Sequence, residues 1–144
     1  MSRRATAKPG AVTKRAGLIG LGLMGHAFAQ RLLAAGWEVI GFDVAPACRQ
    51  RTKRLGARIV RSNAAVFAAC DRVLLSLPTL RETELVLADA RSALRPGHLI
   101  LDTTTGEPEY AEAIHHRLDA QGVRYLDATI SGNSEQVASG DDVL

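Results

Sequence analysis

Three glycines near the start of the chain have the spacing of a phosphate-binding turn. Gly20, Gly22 and Gly25 form a G-x-G-x-x-G pattern after a short apolar run, residues 16–21. In such a turn the first glycine permits a tight bend, the second lets a pyrophosphate approach the backbone, and the third lets a helix pack closely on the strand. The helix predicted over residues 24–35 would offer free N–H groups and a positive dipole end to the phosphates.

An acidic residue follows the second predicted strand, residues 37–42. Asp43 lies 23 residues after Gly20, near the spacing at which a carboxylate accepts hydrogen bonds from the adenosine ribose. The carboxylate would also repel the 2′-phosphate of NADP, so the pattern favours NAD over NADP. The arginines at positions 49, 51 and 54 argue in the opposite direction, for NADP, because they could bind its 2′-phosphate. They belong to a basic run that is either a solvated helix face or an aid to phosphate binding.

The opening stretch has a second interpretation, as a secretory signal. A basic N-terminus precedes it, and Ala27-Phe28-Ala29 fits an A-x-A cleavage site. Glycines weaken a helical signal, and cleavage after Ala29 would fall inside the predicted helix. The strand, helix, strand and terminal acid favour the nucleotide turn, and the signal remains the alternative.

Charge and composition define the ends and the class of the chain. The first 15 residues hold five of the 18 cationic residues and no acidic one, so the remaining 13 face all 15 acidic residues. Residues 1–15 are therefore predicted to be a disordered basic tail, and residues 16–144 a single domain. Scarce aromatic residues argue against nucleic-acid binding, and no apolar run is long enough for a membrane helix.

The cysteines indicate the compartment. Cys48 and Cys70 show neither a C-x-x-C pair nor the histidine spacing of a zinc site, and no other metal site is predicted. They are expected to be reduced thiols in a reducing compartment, the cytoplasm.

Helix and strand patterns continue to alternate after Asp43. The alternation predicts an α/β fold with a doubly wound parallel sheet of the Rossmann type, which binds ligands beyond the carboxyl ends of its strands. Thr79 and Glu82 are predicted to form a capping box before one of the helices. The further predicted strands are residues 58–60, 72–77, 98–101 and 123–126, and the further helices are residues 46–55, 62–69, 80–90 and 108–120.

Four ordered patterns resemble the β-hydroxyacid dehydrogenase family, which includes 3-hydroxyisobutyrate dehydrogenase and 6-phosphogluconate dehydrogenase. They are "GLIGLGLMGHAFAQRL" at 17–32, "LSLP" at 75–78, "DTTTGEP" at 102–108 and "DATISGNSEQVASGD" at 127–141. The resemblance implies that Ser131 and Gly132 hold a substrate carboxylate and that Thr105 lies near the nicotinamide. The residues implied to contact the cofactor are Gly20, Leu21, Gly22, Leu23, Met24, Gly25, Asp43, Leu77, Pro78 and Thr105.

The sequence departs from the family pattern in the substrate segment and in its lysines. Asn133 replaces a glycine, residues 134–137 replace a glycine-rich continuation, and Arg31 stands where the family often has asparagine. The family's general-acid lysine and its helical second domain have no counterpart among these 144 residues, so no catalytic residue is assigned.

The resemblance implies the cofactor-binding domain of an NAD(P)-dependent 3-hydroxyacid dehydrogenase, an oxidoreductase, inactive by itself without the second domain. Its partner would be a small 3-hydroxy acid, and apolar surface normally covered by the second domain would favour self-association. Two alternatives stay open: a non-catalytic module that senses NAD(H), and the Rossmann half of an imine reductase relative, which does not use the lysine.

Overall fold

The computed structural model describes residues 14–141 of the chain. Strands and helices alternate along this part. The strands are β1 (Arg15–Ile19), β2 (Glu38–Phe42), β3 (Arg58–Ile59), β4 (Arg72–Leu75), β5 (Leu99–Asp102) and β6 (Arg124–Asp127). The helices are α1 (Leu23–Ala34), α2 (Pro46–Lys53), α3 (Asn63–Ala69), α4 (Leu80–Asp89), α5 (Pro108–Asp119) and α6 (Ser134–Ser139).

The strands form one parallel sheet in the order β3-β2-β1-β4-β5-β6. The chain builds outward from β1 to β3, crosses to β4, and then builds outward in the opposite direction. This reversal opens a crevice at the carboxyl ends of β1 and β4, where doubly wound sheets bind ligands. The predicted α/β fold with a doubly wound parallel sheet is confirmed.

Alternate residues of the central strands supply two cores, one on each face of the sheet. Leu18 and Val39 pack in the core beneath α1 and α2, whereas their neighbours Ile19 and Ile40 pack in the core beneath α3, α4 and α5. Because β1 and β2 are buried on both faces, they carry nearly continuous apolar runs, as parallel strands do.

Polar caps start several helices, and one differs from its prediction. The Thr79 hydroxyl accepts from the Arg81 amide at 3.2 Å and donates to the Glu82 carboxylate. A capping box would bond the Thr79 side chain to the amide of Glu82, the third helical residue. The predicted box is therefore wrong in detail, because the Glu82 amide donates to the Thr79 backbone carbonyl, at 3.1 Å, and not to its side chain.

A complete capping box occurs at α6, a helix that was not predicted. The Asn133 side chain accepts from the Gln136 amide at 3.0 Å, and the Gln136 side chain accepts from the Asn133 amide at 2.9 Å. The helix ends at Gly140, whose φ of +85° suits a left-handed helix end.

The amino-terminal boundary of the domain also differs by one residue. Arg15, assigned to the tail, is the first residue of β1, and its Nε donates to the Glu38 carboxylate at 2.7 Å. Its neighbour in the sheet is Glu38 itself, so the sheet pairing and the ion pair coincide. The rest of the predicted tail, apart from Lys14, lies outside the described residues.

Cys48 and Cys70 are not joined by a disulfide in the described structure. Cys70 is buried in the core beneath α3, and burial raises the pKa of its thiol to about 11. Among residues 14–141, no helix is both long enough and apolar enough to cross a membrane.

His98 is a buried histidine that is held in its neutral form. Its side chain is 1% exposed, Nδ1 accepts from the Arg95 amide at 3.1 Å, and Nε2 lies 3.0 Å from the Phe67 carbonyl oxygen. Since the Arg95 amide can only donate, Nδ1 carries no proton and Nε2 donates to Phe67. Burial, and then the charge of Arg95, lowers the pKa of His98.

This lowered pKa predicts that the protein loses stability in mild acid. Above about pH 6.5 His98 is neutral in both the folded and unfolded states; below it, the unfolded chain binds a proton that the folded chain refuses. The free energy of unfolding should therefore fall as pH drops below 6.5, by at most about 1.4 kcal/mol per pH unit from this residue. Urea unfolding of the wild type and of His98→Gln between pH 7.5 and 5.5 should show a shallower fall for the variant. Equal slopes for the wild type and His98→Gln would contradict this account.

Candidate functional site

The turn after β1 is too tightly packed for side chains at two of its glycines. A Cβ on Gly20, whose φ is +91°, would lie 2.0 Å from the carbonyl oxygen of Ser76 at the end of β4. A Cβ on Gly25 would lie 1.8 Å from the carbonyl oxygen of Gly20. These two glycines therefore let the ends of β1 and β4 and the start of α1 meet at backbone distance.

Gly22 differs from the other two glycines because the space beside it is open. A Cβ there would meet no heavy atom within 4 Å. Gly22 is the N-cap of α1 and has no capping side chain, and the first helical bond runs from the His26 amide to its carbonyl. The amides of residues 23–25 thus precede the helical ladder, at the positive end of the helix dipole, where an anion can approach.

Asp43, at the end of β2, fixes the glycine turn through hydrogen bonds to its carboxylate. Its Oδ2 accepts from the Leu21 amide and its Oδ1 from the Ala45 amide, both at 2.7 Å. The carboxylate therefore fixes both the turn after β1 and the turn after β2. Each oxygen keeps a second acceptor direction for a ligand hydroxyl, because a carboxylate oxygen accepts two hydrogen bonds.

Two arginines reinforce the same turns through backbone carbonyls. Arg49 Nη1 donates to the Asp43 carbonyl at 2.7 Å and to the Val44 carbonyl at 3.0 Å, and its guanidinium lies 6.0 Å from the centre of the Phe42 ring. Arg51 Nη2 donates to the Leu21 carbonyl at 3.1 Å. Both guanidinium groups thus already have partners within the protein.

A buried carboxylate fixes the loops after β4 and β5. Asp102 is 0% exposed and accepts from the Thr83 hydroxyl at 2.9 Å, the Tyr125 hydroxyl at 2.8 Å and the Thr104 amide at 2.9 Å. The Thr104 hydroxyl in turn accepts from the Leu77 amide at 3.3 Å. Three donors compensate the desolvation of this charge and hold the end of β5 against the loop that carries Leu77.

The charge of Asp102 also affects its neighbours. Burial, and then the negative charge of Asp102, raises the pKa of the Tyr125 hydroxyl, which remains a neutral donor. The same two causes raise the pKa of Asp127, the residue opposite Asp102 on β6. The charge of Asp102 thus acts on two side chains of β6, Tyr125 and Asp127.

A cleft of about 720 Å³ joins most of the residues that the sequence analysis singled out. It runs from the glycine turn over the end of β2 to α3 and α4. Seven of its lining residues had been assigned to the cofactor: Gly20, Gly22, Leu23, Met24, Asp43, Leu77 and Pro78. Of the other assigned residues, Leu21 is buried beneath the turn, Gly25 packs on Gly20, and Thr105 is exposed and is not among the lining residues.

The cleft also contains residues that sequence reasoning missed. Asn63 at the start of α3 and Asp89 at the end of α4 line it, together with Leu85. Ser76, part of the LSLP pattern, also lines it. Asn63 and Asp89 carry no local signal, since they meet only where α3 and α4 pack together.

The two residues assigned to a substrate lie just before α6. Ser131 and Gly132 are exposed, and neither is among the residues that line the cleft. Behind them α6 packs against α1, where a Cβ on Gly140 would lie 2.4 Å from Nη2 of Arg31. The departures from the family pattern at Asn133 and Arg31 thus fall at the two ends of one helix contact.

A second groove of about 870 Å³ adjoins the cleft and shares Phe42 and Val44 with it. It is basic, because four cationic side chains and no acidic one line it: Arg49, Lys53, Arg54 and Arg61. The basic run of the sequence is therefore partly a groove wall beside Asp43. Residues 14–141 contain no group of three or more potential metal ligands.

Comparison with known proteins agrees with this geometry. A family model described as the NAD-binding domain of 6-phosphogluconate dehydrogenase matches residues 15–144. L-threonate dehydrogenase of Cupriavidus necator is 38% identical over 133 residues, which cover 90% of this chain and 45% of that protein.

Two solved structures are similar in fold. 3-Hydroxyisobutyrate dehydrogenase of Mycobacterium tuberculosis, with L-serine, has a TM-score of 0.83 and 31% identity over 87% of this chain and 43% of its own. An imine reductase of Streptomyces aurantiacus has a TM-score of 0.83 and 26% identity over 89% of this chain and 45% of its own. The chain spans less than half the length of these relatives.

The different surroundings of Gly25 and Gly22 predict different effects of alanine on stability. Gly25→Ala forces the backbone of α1 or of Gly20 to move, and should lower the free energy of unfolding by about 1–3 kcal/mol. Gly22→Ala adds its methyl group to open space and should lower it by less than about 1 kcal/mol. Urea unfolding followed by circular dichroism measures both, and equal losses would contradict the packing described here.

Proposed function

The chain belongs to the family of NAD-binding domains of 6-phosphogluconate dehydrogenase, and from this premise we propose that it is the cofactor-binding domain of an NAD-dependent 3-hydroxyacid dehydrogenase. The observation that carries the proposal is the open space over Gly22 at the start of α1, inside the 720 Å³ cleft. Nicotinamide supplies hydride chemistry when bound. The residues described here bind and orient the dinucleotide.

The cleft fits a dinucleotide at three points. The amides of residues 23–25 face the space over Gly22 and would hold the pyrophosphate. Asp43 would accept from the adenosine ribose with the acceptor directions that Leu21 and Ala45 leave free. Leu77 would contact the nicotinamide half of the dinucleotide. The hydrogen bond from its amide to the Thr104 hydroxyl fixes its position.

The choice between NAD and NADP rests on Asp43. A carboxylate that already fixes two turns is in place before the cofactor binds, and it would repel a 2′-phosphate. The nearby Arg49 and Arg51 donate to backbone carbonyls of the turns. We propose that, with these guanidinium groups engaged, the charge of Asp43 dominates and NAD is preferred. The basic groove attracts a 2′-phosphate, so NADP would still bind, but more weakly than NAD.

The substrate class is inferred from the relatives and from the segment before α6. L-threonate and 3-hydroxyisobutyrate dehydrogenases are named for small hydroxy acids. Ser131 offers a hydroxyl and Gly132 a backbone N–H, two donors suited to a carboxylate. We propose that they hold the carboxylate of a small 3-hydroxy acid, with Thr105 near the reacting carbon.

Two further expectations belong to this proposal. Free cysteines fit a reducing compartment such as the cytoplasm. Leu126 on β6 is 52% exposed on a strand paired with β5, and such an apolar edge favours association with another surface.

A second candidate is the corresponding half of an imine reductase, which the similarity to the Streptomyces aurantiacus protein favours. Both candidates use the same cleft for the nucleotide. They differ in the substrate, because an imine has no carboxylate for Ser131 and Gly132 to hold. Activity assays of a protein containing this domain with 3-hydroxy acids and with cyclic imines separate them.

Gly22→Ala is predicted to abolish close approach of the phosphates while leaving the fold intact. Its methyl group occupies the space over the start of α1, so NADH affinity should fall by about tenfold or more. Isothermal titration of the wild type and the variant with NADH measures this. Unchanged affinity in the variant, or no NADH binding by a folded wild-type chain, would contradict the proposed function.

Asp43 is predicted to set the preference for NADH over NADPH. The wild type should bind NADH about tenfold or more tightly than NADPH, because the 2′-phosphate meets a carboxylate. Asp43→Asn removes the charge and, having a single acceptor oxygen, also gives up one of the two bonds to the turn amides. It should bring the two affinities within about threefold of each other. Asp119→Asn, at an exposed position on α5, should keep the wild-type ratio. An unchanged ratio in Asp43→Asn would assign Asp43 to holding the turns alone.

A further inference from the structure

Asn63 and Asp89 form a polar pair in the wall of the cleft. Asn63 Nδ2 donates to Asp89 Oδ2 at 3.0 Å, and both residues line the cleft. They lie on α3 and α4, which are separate from the glycine turn and from the ends of β4 and β5. Neither residue belongs to the glycine turn, the ribose-binding acid or the substrate segment.

This pair has more hydrogen-bond acceptors than it has donors to satisfy them. Asn63 Oδ1 is the buried side-chain atom without a hydrogen-bond partner among residues 14–141. Because a carboxylate can only accept, the amide nitrogen of Asn63 is committed to Asp89, and its oxygen remains the unpaired group. Asp89 is exposed, and its Oδ1 receives no hydrogen bond from the described residues. A buried polar atom without a partner, as Asn63 Oδ1 is, is unusual and can mark a place where a ligand completes the bonding.

Apolar side chains lie beside the pair in the cleft wall, and Glu82 is a further acidic lining residue on α4. Val44 is 84% exposed and Leu85 is 61% exposed, and both line the cleft together with the buried Val86. Exposed apolar side chains beside two acceptors suit a flat ring that carries an N–H donor on its edge.

The order of sites along the cleft identifies that ring. Gly22 would hold the pyrophosphate and Asp43 the ribose, so the next group in a dinucleotide is the base. We propose that Asn63 and Asp89 recognise the exocyclic amine of adenine and make the site select adenine over purines with an oxygen at that position. This inference rests on the proposed function, since it requires a dinucleotide in the cleft.

The chemistry of the selection is simple. The adenine amine has two N–H groups and can donate both to Asp89 Oδ1 and to Asn63 Oδ1. Hypoxanthine has a carbonyl oxygen at the same ring position and its nearest donor is the ring N1–H, one position away. It therefore offers the two acceptors no donor at the position of the amine, and it brings its oxygen against a carboxylate. An unpaired acceptor and a repulsive contact each weaken binding, whereas the phosphate and ribose contacts are the same for both dinucleotides.

Isothermal titration with NADH and with its hypoxanthine analogue, reduced nicotinamide hypoxanthine dinucleotide, tests this proposal. The wild-type chain should bind NADH about tenfold or more tightly than the analogue, the effect of one hydrogen bond to a charged group. Asp89→Ala removes the charged acceptor at an exposed helix end and should bring the two affinities within about threefold. Asn63→Ala should reduce the ratio in the same direction.

Asp119→Ala is the matched control, since Asp119 is also the exposed last residue of its helix and lies outside the cleft. It should keep the wild-type ratio. Equal binding of the two dinucleotides by the wild type, or a tenfold preference kept by both Asp89→Ala and Asn63→Ala, would overturn the role of the pair and leave the proposed function standing. If neither dinucleotide binds to the folded wild-type chain, the proposed function fails together with this inference.

Discussion

The site depends on a gap that is too narrow for a Cβ atom. The backbone of Gly20 lies against the carbonyl of Ser76, and Gly25 lies against the carbonyl of Gly20. Two neighbouring strand ends and a helix start are thereby brought to backbone contact. A side chain at Gly25 would push α1 away from the turn, and one at Gly20 would push the turn away from the end of β4. Either change would move the amides beside Gly22. The open space over Gly22 can admit a phosphate to the helix amides only because the backbone packs tightly at Gly20 and Gly25.

Two carboxylates hold the loops around this gap. Asp43 bonds to an amide of the glycine turn and to an amide after β2, and Asp102 collects three donors from α4, β6 and its own loop. They serve different environments: Asp102 is fully buried and needs all its donors, whereas Asp43 is half-buried and keeps acceptor capacity for a ligand. The free protein therefore already has its binding loops in place, which reduces the ordering that binding would require.

The sequence predicted the features that have a local physical cause. Apolar runs bounded by turn residues located the strands, and the glycine spacing located the turn, because each depends on neighbours in the chain. Asn63 and Asp89 could not be predicted, since 26 residues separate them and only the packing of α3 on α4 joins them. The helix α6 was missed although Asn133 and Gln136 had the spacing of a capping box, because the helix is only 6 residues long and has a single buried apolar residue, Val137.

The contact between Gly20 and Ser76 has a consequence for how the chain folds during its synthesis. The amide of Ser76 also donates to the carbonyl of Ile19 at 2.9 Å, so β1 is completed by a strand that begins more than 50 residues later. A ribosome that has released β1, α1 and β2 has released every glycine of the turn but not the surface against which the turn closes. The nascent chain therefore cannot be stabilised by nucleotide until β4 has emerged and docked. During that interval the backbone amides and carbonyls along one edge of the apolar strand β1 lack their partners in β4.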